Sequence, residues 1–477
     1  MSGPQRTAPT VRENRARSLA GQLAGQAMTA QFSQFPEQAV AKAKICLLDY
    51  LSCALESLDL PWAVQAAGLA APARPGAALI GRAGSFVAAD AAFANAVAGH
   101  GLVREDMHTG SIAHLGVVVW PTLLAIAQRE RTSGEALLAA AIVGYETGGR
   151  LGRAIMTTEL ARLFRPTGLV GAAAAAMAAA HLCRLPADTA LNAFSLGINA
   201  AAGLNEWPHT GGSEMYFHPG TAARNGLVAS DLARLGAVAS PTILEGEAGF
   251  FAAFARRPLS KPVQLFPGGQ IEILSVFNKE VPACNFAQTP CQAALRARGA
   301  ATGSEIVAVE LAVSEAALRY PGCSAAGPFD YPLQAKMSIL FGVAATLTHG
   351  EIAEGNYSDL DNPEISRLIA ATRIHADPAY SAAFPGRQGA RVKLSLADGS
   401  VKQAELADVV PASPELIRRR FAEVAGAVLG EGAARRLAEM VDDLENEADA
   451  SRLDALCALA ARQSPSMPAA SSIRAQS

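Results

Sequence analysis

The chain has 477 residues, of which half are hydrophobic and 17% are charged, and its mean hydropathy is +0.19. A chain of this length and composition buries a large core, which excludes a disordered scaffold. Lys and Arg total 40 and Asp and Glu total 43, so the net charge of -3 offers no electrostatic footprint for nucleic acid or for an anionic membrane.

Neither of the two most apolar stretches, residues 111–127 and 170–180, reaches the roughly 20 strongly apolar residues of a membrane-spanning helix. Residues 1–17 are polar and lack the apolar centre of a secretory signal. The 7 cysteines form no CxxC pair, which argues against a disulfide framework or a zinc knuckle. We therefore expect a cytoplasmic protein.

The first half of the chain predicts helices. After a flexible tail over residues 1–19, a helical domain is expected over residues 20–264, with apolar residues at helical spacing from about Pro36. Thr132 and Glu135 predict a capping box before an apolar helix. Strand signals are nearly absent over residues 36–260. The helices predicted after the capping box cover residues 136–149, 169–181, 187–202 and 222–237.

The pattern changes after residue 264. The β-branched residues 306–313 predict a strand, and Asp398-Gly399 predicts the turn of a hairpin with strands at 391–396 and 401–404. Residues 335–348 predict an apolar helix between them. Residues 265–405 are thus expected to form a smaller α+β lid domain, followed by C-terminal helices over 406–462 and a flexible tail over 463–477. The predicted fold class is mainly α, a large all-α domain with a smaller α+β lid.

The loop around residues 99–114 combines three histidines with two carboxylates. His100, His108 and His114 lie near Glu105 and Asp106, a set suited to general acid–base chemistry. The alternative is a polar loop whose side chains cap helix ends. Because no HxH, HxxE or HExxH spacing occurs, no metal site is predicted.

Three further loop-like segments hold polar residues. Residues 205–220 include Glu206, His209 and His218, and Gly220 at a predicted helix start would free N–H groups for a carboxylate, a weak signal by itself. Arg165 is a candidate carboxylate clamp, or else an ordinary surface arginine.

The fourth segment, residues 278–288, contains Lys279 and Cys284, which would line a cleft between the two domains or belong to a plain linker. No Walker, GxGxxG, GxSxG or kinase motif is present, which argues against a nucleotide cofactor and serine-hydrolase chemistry.

Several of these segments together resemble the MmgE/PrpD family, which includes 2-methylcitrate dehydratase, cis-aconitate decarboxylase and iminodisuccinate epimerase. The stretches that carry the resemblance are HPGTAARNG at 218–226, ILEG at 243–246, AGH at 98–100, GYE at 144–146 and PAC at 282–284. The resemblance runs from about residue 43 to about residue 450. It implies C-terminal helices that return to the helical domain, a homodimer, a cleft site for a small-molecule carboxylate, and no nucleotide. We expect no cofactor.

Several functional positions of the family differ in this chain. The leading Asp of its D-F-D-D segment corresponds to Val103, while the last corresponds to Asp106, and the His of its H-P-S segment is kept as His114. A second family His corresponds to Arg165, and the family Lys corresponds to Met215.

A further family His corresponds to Gln288, and Lys279 falls where some members have a site lysine. The resemblance and the loop segments together give the expected site. The expected catalytic residues are His114, Asp106, His108, Lys279 and His218, and the expected substrate-binding residues are Arg165, Met215, Tyr216, Gly220, Glu206, His209, Cys284 and Gln288.

Two functions remain open at this point. The first is a lyase or isomerase that abstracts a proton next to the carboxylate or carbonyl of a small organic acid, with a site altered away from 2-methylcitrate dehydration. The second is a catalytically retired family member that binds a small acid or serves as a structural partner. In neither case is a nucleic acid or a membrane an expected partner.

Overall fold

The computed structural model describes residues 15–257, 259 and 262–457, the side chains of 454–456 excepted. Most of the expected N-terminal tail, and all of the expected C-terminal tail at 463–477, lie outside these described residues. Helices dominate the described part, and a four-stranded sheet lies in its C-terminal half. The predicted fold class, mainly α with a smaller α+β part, is therefore confirmed.

The helices of the first half enclose the main core. They are α1 (Leu19–Thr29), α2 (Glu37–Glu56), α3 (Pro61–Gly68), α4 (Ala88–His100), α5 (Gly116–Glu130), α6 (Gly134–Ile155), α7 (Thr158–Leu163), α8 (Pro166–Leu182), α9 (Ala187–Asn199), α10 (Trp207–Thr210) and α11 (Glu214–Arg234).

The second half contains the lid and the C-terminal helices. Its helices are α12 (Gln288–Arg298), α13 (Glu315–Arg319), α14 (Pro332–Met337), α15 (Ile339–His349), α16 (Pro363–Ala370), α17 (Pro378–Ala383), α18 (Pro414–Leu429), α19 (Glu431–Asp442) and α20 (Arg452–Cys457). The strands of the chain are β1 (Pro72–Ala77), β2 (Met107–His108), β3 (Val276–Phe277), β4 (Ile306–Val313), β5 (Thr372–Ala376), β6 (Ala390–Leu396) and β7 (Val401–Leu406).

Helix α8 is the centre of the helical domain because small residues line it on every side. Its residues from Pro166 to Ala180 are all buried, and it packs against α5, α6, α9 and α11. A Cβ atom on Gly226 of α11 would lie 2.8 Å from the carbonyl oxygen of Ala172 and 3.0 Å from the backbone nitrogen of Ala176. The glycine is therefore what allows α11 to approach the backbone of α8 so closely.

The lid is built on the sheet, whose strand order is β5-β4-β6-β7. Strand β4 pairs in parallel with β5 and antiparallel with β6, and β6 pairs antiparallel with β7. Strand β4 and the β6–β7 hairpin occupy the segments predicted from the sequence. In the turn, Asp398 Oδ1 accepts from the backbone N–H of Ser400 at 2.8 Å, and Gly399 takes a positive φ of 83°.

The sequence prediction of an almost strand-free first half is wrong at two places. Strand β1 contains two prolines and no β-branched residue, and it exists because its ends bridge to Phe86. Strand β2 pairs antiparallel with β3, so that Met107 faces Phe277 and His108 faces Val276. This short pairing ties the histidine-rich loop to the entry of the lid.

Two predicted helix boundaries also differ. Helix α6 begins after Ser133, whose Oγ accepts from the N–H of Ala136 at 3.3 Å, while Thr132 Oγ1 has no hydrogen-bond partner among the described residues. The predicted helix over 335–348 is two helices, because Ser338 turns out of α14 and caps α15 by accepting from the N–H of Phe341 at 3.0 Å.

The C-terminal helices pack on the first half of the chain. Helix α18 lies against α2 and α19. Its Arg420 donates hydrogen bonds to the carbonyl oxygens of Lys279 at 3.0 Å and of Glu280 at 2.8 Å, which fixes the segment that enters the lid. Among the described residues, no helix combines the length and the apolar character that crossing a membrane requires.

Adding one methyl group at Gly226 should destabilise the protein. The Cβ of Gly226→Ala would meet backbone atoms of α8, which cannot rotate away, so we expect a loss of about 1–3 kcal/mol in the free energy of unfolding. Gly25→Ala in α1 is the matched control, because its Cβ meets nothing within 4 Å and should be neutral or stabilising. Urea unfolding of both variants checks this, and equal effects would contradict the packing argument.

Candidate active site

A small cavity lies between the helical domain and the lid. Its volume is about 20 Å³, roughly the space of one water molecule. The helical domain contributes Val103, Met107, Ile112, His114 and Arg165, and the lid contributes Cys284, Asn285, Phe286, Tyr320 and Met337.

The loop between α4 and α5 forms one wall of the cavity. Val103 and Ile112 take positive φ values of 57° and 52°, which are uncommon for β-branched residues. The turns at Val103 and Ile112 direct the loop away from the end of α4 and then back to the start of α5. The backbone N–H of His114 then donates to Thr167 Oγ1 at 3.0 Å, which places His114 beside the first turn of α8 and hence beside Arg165.

One carboxylate oxygen joins two histidines in this loop. Glu105 Oε1 lies 2.5 Å from Nδ1 of His100 and 2.7 Å from Nδ1 of His114. All three side chains are buried. The two rings lie edge to face with centroids 5.0 Å apart.

The partners of the two rings determine their protonation. Arg165 Nη2 lies 2.8 Å from His100 Nε2, and because a guanidinium only donates, this nitrogen must accept. His100 therefore carries its proton on Nδ1 and donates it to Glu105. His114 Nδ1 faces Glu105 Oε1 and, at 3.1 Å, the carbonyl oxygen of Asp106, which are both acceptors. Its proton is also on Nδ1, and its Nε2 is the nitrogen left for a ligand in the cavity.

Burial and neighbouring charges set the pKa values of this group. Burial alone would raise the pKa of Glu105, but the two histidines that face its carboxylate hold it well below its usual value. Burial lowers the pKa of His114 to about 3, with Glu105 opposing the shift and Lys279 adding to it. Burial likewise lowers the pKa of His100. Glu105 is therefore ionised and both imidazoles are neutral at pH 7.

Arg165 is the cation that lines the cavity. It stands at the N-terminal end of α8, is 4% exposed, and its guanidinium carbon lies 5.8 Å from the centroid of the Trp207 ring. His218 lies next to it, and burial followed by the charge of Arg165 lowers the pKa of His218 to about 3. Nδ1 of His218 is buried and has no hydrogen-bond partner among the described residues.

Two lysines brace the loop from the lid side. Lys279 Nζ donates to the carbonyl oxygens of Val103 at 2.7 Å and of Ala283 at 2.9 Å. Lys336 Nζ donates to the carbonyl oxygen of Leu102 at 2.8 Å and to Glu354 Oε1 at 2.5 Å. Burial lowers the pKa of Lys279 to about 8. Both lysines stand behind the cavity wall.

Two of the expected catalytic residues point elsewhere. The carboxylate of Asp106 accepts from the N–H of Gly116 at 3.1 Å and from the hydroxyl of Tyr145, so it caps α5. His108 Nε2 lies 2.6 Å from Oε2 of Glu272, which lies just before β3. Neither side chain lines the cavity, since neighbouring residues of an irregular loop face different sides.

The expected binding residues fall into two groups. Met215 Sδ lies 2.8 Å from His100 Nε2, and Tyr216 stacks on Trp62 with ring centroids 3.7 Å apart, so both lie behind the histidine pair. Glu206 and His209 are exposed at α10.

Gly220 and Gln288 have structural surroundings. Gly220 lies inside α11, where it packs against α4, so the expected free N–H groups at a helix start are not there. The side chain of Gln288 forms hydrogen bonds with the N–H of Val281 at 3.1 Å and with its carbonyl oxygen at 2.8 Å, which shapes the loop that carries Cys284. Cys284 lines the cavity, with its Sγ 3.6 Å from Sγ of Cys323.

The side chains of this site suit a hydrogen-bonded arrangement better than they suit a bound metal ion. His100, Glu105 and His114 offer ligand atoms within 4.8 Å of one another. A cation there would displace the protons of both Nδ1 atoms and would lie near the positive charges of Arg165 and Lys279. The two Nδ1 atoms are instead satisfied by their shared contacts with Glu105 Oε1, while Glu105 Oε2 is buried without a hydrogen-bond partner among the described residues.

The list of expected site residues did not include Glu105, His100, Tyr320 or Met337. His100 and Glu105 belong to the segment that was singled out, but spacing alone does not distinguish Glu105 from Asp106. Tyr320 and Met337 lie far along the chain and carry no local signal. The lid brings them to the cavity.

The buried histidine should make stability depend on pH. Because the pKa of His114 is about 3 in the folded protein and about 6.5 when exposed, the unfolded chain binds the extra proton between these values. The free energy of unfolding should therefore fall as the pH decreases below about 6.5, by up to about 1.4 kcal/mol per pH unit for this group. Urea titrations at several pH values give the slope of the free energy of unfolding against pH. In His114→Gln this slope should be smaller by the equivalent of about one proton. An unchanged slope would refute the neutral buried imidazole.

Comparison with known proteins gives the family. Residues 21–261 match the MmgE/PrpD N-terminal domain, and residues 281–446 match the MmgE/PrpD C-terminal domain. The chain is 27% identical to a cis-aconitate decarboxylase of Aspergillus terreus, covering 88% of this chain and 91% of the relative. It is 25% identical to the human cis-aconitate decarboxylase over 77% of this chain and 78% of the relative.

A relative with a second activity matches as well. A 2-methylcitrate dehydratase of Cupriavidus necator is 26% identical over 80% of this chain and 82% of its own length. The two domain matches together cover most of the chain, in the order in which the helical domain and the lid follow each other. The chain belongs to the MmgE/PrpD family.

Proposed function

We propose that this protein is an enzyme that transfers a proton at the carbon next to the carboxylate or carbonyl of a small organic acid, as a lyase or an isomerase. The observation that carries the proposal is the orientation of His114, whose Nδ1 is held by Glu105 while the ring lines a cavity shared with Arg165. The named relatives, a decarboxylase and a dehydratase, support a lyase.

His114 is the proton-transfer residue in this proposal. A neutral imidazole accepts a proton only through the nitrogen that lacks one, and in His114 that nitrogen is Nε2. Glu105 stabilises the positive charge that the ring gains, because its ionised carboxylate contacts Nδ1 at 2.7 Å. A substrate anion next to the ring raises the pKa of His114 and so strengthens it as a base.

Arg165 binds the carboxylate. Its hydrogen bond to His100 uses one of five N–H groups, and the guanidinium otherwise lines the cavity. A planar fork of N–H donors matches the two oxygens of a carboxylate. The same carboxylate would lie within reach of His114, so that the carbon next to it faces Nε2.

In this site, the acid that would protonate a leaving hydroxyl group is not the lysine of the family. Dehydration needs a base for the α-proton and an acid for the leaving hydroxyl. Besides His114, two side chains that line the cavity can donate a proton. Burial raises the pKa of Tyr320 to about 12, and the contact with Cys323 lowers the pKa of Cys284 to about 7. The lysine that the family resemblance places at position 215 is a methionine.

His114→Gln should abolish turnover and preserve binding. We expect a loss of at least about 100-fold in the rate of deuterium incorporation from solvent into a bound acid, because general base catalysis contributes about 10²–10⁴-fold. Binding of the same acid, followed by thermal shift, should change by less than about tenfold. The exposed His375→Gln on β5 serves as the control. Proton exchange by His114→Gln at the control rate would exclude this residue as the base.

The experiment also separates the enzyme from a retired family member. NMR in D₂O is applied to small hydroxy, oxo, amino and unsaturated acids that raise the melting temperature of the wild-type protein. Binding without exchange, elimination or loss of CO₂ for every such acid would favour a binding protein and contradict the proposal.

Dehydration of 2-methylcitrate should be negligible. When catalytic groups act together, removing one of them slows the reaction by several powers of ten. The residues that line this cavity include no lysine that could donate a proton. An absorbance assay for the unsaturated product checks this. Ordinary turnover, about 1 per second or more, would contradict it.

A further inference from the structure

We infer that the acid bound by this site has a single carboxylate and an apolar remainder. The inference rests on the proposed function, because it names the substrate class for the site formed by His114 and Arg165. It follows from the groups that line the cavity and from the partners that those groups already have.

Half of the residues that line the cavity are apolar. Val103, Met107 and Ile112 face it from the helical domain, and Phe286 and Met337 face it from the lid. All five are buried. A carboxylate in contact with this surface would lose its hydration without gaining hydrogen bonds, which costs several kcal/mol. A methyl or methylene group in the same place gains from burial.

The polar side chains of the lid wall already have partners. The amide of Asn285 exchanges two hydrogen bonds with the amide of Gln388, at 2.8 and 3.1 Å. The hydroxyl of Tyr320 contacts Asn205, and Sγ of Cys284 contacts Cys323. None of these groups is a cation, so none of them pairs a second carboxylate with a positive charge.

The two neighbouring lysines do not provide a second anion site. Lys279 is held by the carbonyl oxygens of Val103 and Ala283, and Lys336 is held by that of Leu102 and by Glu354. Neither lines the cavity. Arg165 is thus the one cation that reaches the cavity from the described residues, and it matches one carboxylate.

A pair of acids that differ by one group tests the inference. Crotonate and fumarate have the same unsaturated backbone, but a methyl group in crotonate is replaced by a second carboxylate in fumarate. Calorimetry at constant ionic strength should show at least tenfold tighter binding of crotonate than of fumarate, and cis-aconitate, with three carboxylates, should bind no better than fumarate. Arg165→Gln should weaken crotonate binding at least tenfold, whereas Arg373→Gln, an exposed arginine of β5, should leave it unchanged.

A gain-of-charge variant gives a second readout. Met337→Lys adds a cation to the apolar lid wall and should improve the binding of fumarate relative to crotonate at least tenfold. If this variant does not fold, the ratio measured for the wild-type protein still decides. Fumarate or cis-aconitate binding as tightly as crotonate, or no binding of crotonate at millimolar concentration, would overturn the inference.

The inference and the proposed function can fail separately. Preference for the monocarboxylate without proton exchange in any bound acid would refute the proposed function and keep the acid class. Proton exchange that requires two or three carboxylates would refute the acid class and keep proton transfer by His114.

Discussion

A single buried carboxylate oxygen organises the candidate active site. Glu105 Oε1 accepts from Nδ1 of both His100 and His114, and this shared contact determines the tautomer of each ring. The Nε2 of His100 is consequently an acceptor for Arg165, and the Nε2 of His114 is left to the cavity. A neutral side chain at position 105 would remove the negative charge that makes two N–H donors favourable at one oxygen. The orientation of His114, the proposed base, and the position of Arg165 therefore both depend on this one group.

The position of Glu105 depends in turn on the close packing of small residues. Helices α8 and α11 approach closely because the facing side chains are mainly alanine and glycine, and Gly171 of α8 makes room for Val118 of α5. This proximity brings the loop before α5 to the first turn of α8, where Thr167 accepts from the backbone of His114. Arg165 directly precedes the same turn. His114 and Arg165 are thus neighbours because these helices lie side by side with only small and medium-sized side chains between them.

The lid completes the site through contacts with backbone atoms. Lys279 and Lys336 both donate to carbonyl oxygens of the loop after α4, and the β2–β3 pairing holds the entry of the lid against the same loop. In this arrangement the cavity has a volume of about 20 Å³, which is too small for an organic acid. Binding must therefore move Phe286, Met337 or their neighbours away from His114. The lysine contacts limit this movement, because each buried ammonium group that loses its carbonyl partners must be rehydrated.

The sequence by itself determined the fold class, the strand at 306–313 and the hairpin at 391–404, and it singled out His114 and Arg165, which both line the cavity. These features come from local periodicity, from turn chemistry and from short motifs, which act within a few residues of the chain. Only the tertiary structure decided that Glu105, and not Asp106, joins two histidines, and that these are His100 and His114 and not His108. On an irregular loop, the direction of each side chain depends on dihedral angles such as the positive φ of Val103, which no period in the sequence encodes. Of the lid residues that line the cavity, Cys284 was predicted from its motif, but Tyr320 and Met337 were beyond the sequence. Residues separated by more than a hundred positions meet only when the two domains pack together.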